Sequence, residues 1–183
     1  MVTVISCELP LVLVFLTVGR AAGEMCADGV TFSLTAIVDY QRLFGSFITN
    51  PVLIPAAIAF LMVIPGETGV HPFDTAEAET EICEGMLSEY SGAPLAVFEL
   101  THAIKMLTMS SLFVVLFLGG ITTGNIIFDA IIVVLLCIGV TLISTTILNA
   151  ASARWKINQV FKYYWTVVSG IALISLVLVW FSI

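Results

Sequence analysis

Three ionisable residues stand at i, i+3 and i+6 within one apolar run: Glu99, His102 and Lys105. On a helix they fall on or near one face. Ionisable groups inside a bilayer are costly, and by default they mark proton or ion handling in a hydrated interior. A blander reading stays open. Glu99 and His102 lie within two turns of the helix start and could be interfacial, and Lys105 could snorkel, although three turns is a long reach. Glu8 poses the same choice in the first apolar run: it is functional, or simply hydrated near an interface.

The densest chemistry lies between two apolar runs, in ETGVHPFDTAEAETEICEGMLSEYSG. Seven of the 13 acidic residues are here, at Glu67, Asp74, Glu77, Glu79, Glu81, Glu84 and Glu89, with no Lys or Arg among them. Asp74 can cap a helix from Thr75, with Glu77 as its capping-box partner. Glu77, Glu81 and Glu84 would then share a face, where like charges repel. On a dry face one or more of these carboxylates takes up a proton near neutral pH. On a wet face they are ordinary solvated acids, and spacing leaves both readings open.

These residues must be positioned by helices. The chain is 60% hydrophobic and 10% charged, with mean hydropathy +1.12. Soluble domains carry about a quarter charged residues. In hydrocarbon every backbone polar group must be satisfied internally, and the runs do not alternate as barrel strands do. The fold class is therefore all-α: a polytopic helical membrane protein with about five transmembrane helices and a structured acidic cytoplasmic loop, forming a single membrane domain over 1–183. The spacing predicts spans at 2–19, 48–65, 94–119, 126–148 and 166–183, with the acidic loop at 66–93. Pro55 is expected to kink the second span and Pro65-Gly66 to end it. Between the first two spans, FSLTAIVDYQRLF suits a helix lying in the membrane surface, or a plain loop.

Net charge is −7, which argues against nucleic acid or anionic lipid as a partner. The four cysteines are scattered with no C-x-x-C pair, so zinc or iron–sulfur ligation by this chain is not expected. Cys7 and Cys137 read as packing residues. The N-terminus lacks a basic region and carries Glu8 and Pro10, so it reads as a span and not as a cleaved leader. Arg154, Lys156 and Lys162 place the loop between the last two spans in the cytoplasm, and the acidic loop with it. Trp155, Tyr163, Tyr164 and Trp165 read as an interfacial aromatic belt.

The acidic block carries a resemblance. Glu67, Pro72-Phe73-Asp74, Glu77-Ala78-Glu79-Thr80-Glu81 and Glu89-Tyr90-Ser91-Gly92 are similar to the signature loop of the NADH dehydrogenase subunit 1 family. That family includes a membrane subunit of respiratory complex I and its counterparts in energy-converting membrane-bound [NiFe] hydrogenases and formate hydrogenlyases. ISCELPL resembles its acid-bearing helix, with Glu8 in the acid position, and RWKINQVFKYYW resembles its last cytoplasmic loop. The resemblance covers the last five of about eight family spans. A separate polypeptide supplying the N-terminal helices, or a split or shortened subunit, is expected; Met1 at the start of a span fits a split. Val70 replaces the motif arginine, and His102 stands where the complex I branch usually has glutamate. A lysine near Lys105 is more like the hydrogenase branch.

The resemblance implies a non-catalytic subunit that anchors a cytoplasmic redox arm. No cofactor is expected on this chain; iron–sulfur clusters, and in the hydrogenases the nickel–iron centre, would belong to hydrophilic partner subunits. His71, Pro72, Phe73, Arg154 and Lys156 would dock that arm. Glu67, Asp74, Glu77, Glu79, Glu81 and Glu89 would form the entry to a proton path. Glu8, Glu99, His102 and Lys105 would extend it toward antiporter-like membrane subunits. Three functions compete: a ferredoxin-linked hydrogenase-type coupling subunit, a quinone-reducing complex I subunit, and a stand-alone cation transporter. Internal inverted repeats would mark the third, and none is evident.

Overall fold

The structure is a computed structural model that describes residues 2–23, 29–70, 73, 89–121, 125–146 and 155–182. Among the described residues every regular element is helical. Four helical runs are long and apolar enough to cross a membrane: Ile5–Ala22, Ala93–Leu118, Ile126–Thr146 and Ile157–Ser182. The chain is a multi-pass helical membrane protein. Asp74, Glu77, Glu79, Glu81, His71, Pro72 and Arg154 lie outside the described residues, as does the helix expected from Thr75.

Helix α1 spans Val2–Ala22 and contains Pro10. In its last turn Arg20 donates to the Gly29 carbonyl at 2.9 Å, and its guanidinium lies 5.4 Å from the Trp180 ring. That tie holds the outgoing chain to the far end of the molecule. The FSLTAIVDYQRLF stretch is a helix rather than a loop: α2 spans Leu34–Phe44 and buries Ile37 and Gln41. Its polar side carries an exposed Asp39–Arg42 ion contact at 3.6 Å. The Gln41 amide donates to the Val115 and Leu116 carbonyls at 3.1 and 2.9 Å, which pins α2 to the helix carrying them.

The second apolar run departs from its expected 48–65 bounds. A 3₁₀ turn at Phe47–Thr49 precedes α3, which spans Ile54–Thr68. Pro55 causes no kink. It sits in the first turn, where its missing N–H has no partner to lose. Pro65 does not end the helix either; α3 runs on to a cap at Gly69, whose φ of 66° favours glycine. Pro65 does withdraw the donor that the Leu61 carbonyl would have used. Ser144 replaces it, its hydroxyl donating to that carbonyl at 3.0 Å. At 15 residues α3 is about 22 Å long, short of the ~30 Å hydrocarbon layer. It is the central element, and nine of its residues are buried.

Helix α4 spans Ala93–Leu118 and buries only its second half, from Ser110 to Phe117. Helix α5 spans Ile126–Thr141 and widens into a π-type turn at Leu142–Thr146. Only Val140, Ser144 and Thr145 of that run are buried. The final run begins earlier than the expected residue 166: α6 spans Ile157–Lys162, a π-type turn follows at Tyr163–Val168, and α7 spans Ser169–Ser182. The reason is a buried stripe that starts before the apolar run does, through Val160, Tyr164, Val168, Ala172 and Val179. Tyr164 is accordingly core, fully buried, while Trp165 stays exposed as a belt residue would.

Candidate functional site

At the foot of α3 a carboxylate is drawn into the protein. The Glu67 side chain is 10% exposed, and its Oε2 lies 3.7 Å from Lys105 Nζ, whose side chain is 43% exposed. That spacing makes an ion pair rather than a hydrogen bond. The second oxygen, Oε1, is buried with no hydrogen-bond partner among the described residues. Burial disfavours the Glu67 charge, the Lys105 ammonium favours it, and Glu8 of α1 opposes it as a like charge.

The residues grouped by sequence separate here. Glu67 of α3 and Lys105 of α4 meet, while Glu8 of α1 is exposed and acts on Glu67 only as a nearby like charge. His102 is half-buried one turn before Lys105, with its Cε1 3.7 Å from where a Cβ on Gly69 would stand. Glu99 is exposed, as is Glu89. Lys156 is also exposed and opens α6, where the Gln159 side-chain oxygen accepts its backbone N–H at 3.1 Å. The Phe73 ring faces the bundle: it is 6% exposed, with centroids 5.7, 6.1 and 5.2 Å from Trp155, Tyr163 and Tyr164.

Three neighbours of the pair were given no part in a site by the sequence. The Tyr164 hydroxyl donates to the Met62 carbonyl at 3.0 Å. A Cβ on Gly66 would collide with that hydroxyl and would stand 2.6 Å from Cys7 Sγ. Gly66 is thus the point where α1, α3 and the last helical run touch. The i, i+4 repeat of Val160, Tyr164 and Val168 was the available signal for Tyr164. Cys7, read as a packing residue, is one, whereas Gly66, read as part of a helix stop, is a contact point inside α3. Among the described residues no three His, Cys, Asp or Glu side chains converge as a metal site requires. Chemically, a proton on Glu67 would cancel the attraction that pairs it with Lys105, and its loss would restore it.

A family model described as NADH dehydrogenase matches residues 1–180. The chain belongs to the NADH dehydrogenase subunit 1 family. It is 30% identical over 180 residues to the H-type NADH-quinone oxidoreductase subunit of Parvibaculum lavamentivorans, covering 95% of this chain and 50% of that protein. It is 31% identical over 190 residues to the protein of the same name from Ehrlichia ruminantium (strain Gardel), covering 90% and 50%. The fold matches a chain in the structure of the membrane-bound sulfane sulfur reductase, an archaeal respiratory membrane complex. There the TM-score is 0.86 and the identity 29%, over 97% of this chain and 57% of that one. The chain thus spans about half the length of the curated relatives it matches. As a family member it is a complex I-like membrane subunit, and Glu67, the first acid of the stretch that resembles the family signature loop, is the one that meets Lys105.

Proposed function

We propose that this chain is the membrane-anchoring and coupling subunit of a ferredoxin-linked, energy-converting hydrogenase-type complex. It passes redox events in a peripheral arm to proton or sodium translocation. The observation that carries the reading is the Glu67–Lys105 pair. It joins the root of the acidic loop to a basic residue within the span expected to lead ions onward, and a lysine there resembles the hydrogenase branch. A charge arriving above the loop shifts the balance at a carboxylate that burial and Lys105 already hold in opposition. In this reading the loop faces the cytoplasm from the cell membrane, hydrophilic subunits carrying iron–sulfur clusters dock on it, and antiporter-like subunits lie beside it. The N-terminal half of the family fold comes from a separate chain or from a longer form of this one.

A quinone-reducing complex is the second reading, favoured by relatives named as subunits of NADH-quinone oxidoreductases. Nickel-ligating cysteine pairs in the large partner protein would select the first reading, and quinone reduction by the purified complex the second. The test of coupling is Lys105→Met and Glu67→Gln in the complex reconstituted into liposomes. The rate of ion movement is expected to fall about tenfold, the equivalent of ~1.4 kcal/mol in the barrier, while the subunits still co-purify. Parental ion movement in both variants would reduce the pair to a packing feature.

A further inference from the structure

We propose that Tyr164 is the positioning residue of the Glu67–Lys105 pair, one buried side chain holding both the backbone that carries Glu67 and the root of the acidic loop. The inference deepens the coupling reading and rests on it. Tyr164 is fully buried. Its hydroxyl reaches the Met62 carbonyl at 3.0 Å, in the turn of α3 that carries Gly66 and Glu67. The same hydroxyl, beside Cys7 Sγ, fills the space a side chain on Gly66 would need, so the backbone next to Glu67 is seated on it.

The other end of the segment returns to the same ring. Past Glu67 the chain turns through Val70, whose N–H donates to the Pro65 carbonyl at 3.2 Å, and the Phe73 N–H donates to the Val70 carbonyl at 2.9 Å. The Phe73 ring then lands 5.2 Å from the Tyr164 ring, centroid to centroid. Gly66 and Phe73, on either side of Glu67, therefore both rest on a single aromatic side chain. An aromatic side chain has few torsions, so displacing one end displaces the other. Tyr164 also stands in the π-type turn, a local widening often found at functional sites.

The groups facing Glu67 are Lys105 from α4, Glu8 and Cys7 from α1, and Tyr164 itself, with His102 beside Gly69. Moving the Glu67 backbone changes its distance to each, and so its hold on a proton. The direct test is Tyr164→Phe in the assembled complex, which keeps the ring and drops the hydroxyl. An infrared pH titration follows the Glu67 carboxyl band, identified by its loss in Glu67→Gln. Its midpoint is expected to move by about half a pH unit or more, as loss of one hydrogen bond allows. Trp165→Phe, on the exposed side of the same turn, leaves it in place. Phe73→Leu, which loosens the other end, moves the midpoint as well and serves if Tyr164→Phe does not assemble. An unmoved midpoint in either assembled variant overturns the proposal. The coupling reading fails separately, if Glu67→Gln pumps like the parent, and that outcome leaves the band shift to be judged alone.

Discussion

Helices α3 and α5 read alike as sequence, IPAAIAFLMVIPGET against IIFDAIIVVLLCIGVT, yet they occupy opposite situations. Nine residues of α3 are buried, while Val140 alone is buried within α5. Apolarity does not separate them; side-chain size does. In lipid there is little hydrophobic gain in bringing helices together, and close approach depends on small residues. Ala56, Ala57, Ala59 and Gly66 let α3 be surrounded. The branched residues of α5 leave its Gly139 with nothing within 4 Å of where a Cβ would stand, whereas Gly66 lies against Tyr164 and Cys7. The two prolines of α3 add to this. A freed carbonyl needs a donor, and the donor comes from the π-type turn that ends α5, through Ser144. The site grows at the end of the buried helix because, among the described residues, only there is a carboxylate both desolvated and within reach of another helix's cation.

The contrast has measurable consequences, each read as unfolding free energy in bicelles. Phe60→Ala has the largest expected effect, about 3 kcal/mol or more, because Phe60 is fully buried against Phe15, Phe113 and Phe117. A cost near zero would mean that α3 is not the centre of the bundle. The glycine pair comes next. Gly66→Ala is expected to cost about 2 kcal/mol through overpacking, and Gly139→Ala nothing, or to stabilise slightly through helix propensity. Equal effects at the two positions would erase the distinction between the helices. Ser144→Ala costs less than Gly66→Ala, about 0.6 to 1 kcal/mol, for the hydrogen bond that serves the carbonyl opened by Pro65.

Much of this molecule was legible in its residues. The apolar runs marked the helices, FSLTAIVDYQRLF marked α2, and the acidic block marked the family. The prolines were harder to read. Pro55 and Pro65 carry the same local signal, but one opens a helix and the other lies inside it with a borrowed donor. Tyr164 looked like its neighbours Tyr163 and Trp165, and only its place on the stripe with Val160 and Val168 set it apart. Within the candidate site, Glu99, His102 and Lys105 were grouped by spacing, whereas the fold turns Lys105 to Glu67 and leaves Glu99 exposed.

The sequence by itself determined that helices cross a membrane and where the carboxylates and the lysine stand along them. A bilayer forces each segment to satisfy its own backbone, so that decision is local. Only the tertiary structure decided that Glu67, and not Glu99, meets Lys105, and that Tyr164 lies beneath them. Helices apolar on every side carry little record of which face turns to which neighbour. Small residues, freed carbonyls and close packing settle that choice between segments far apart in the chain.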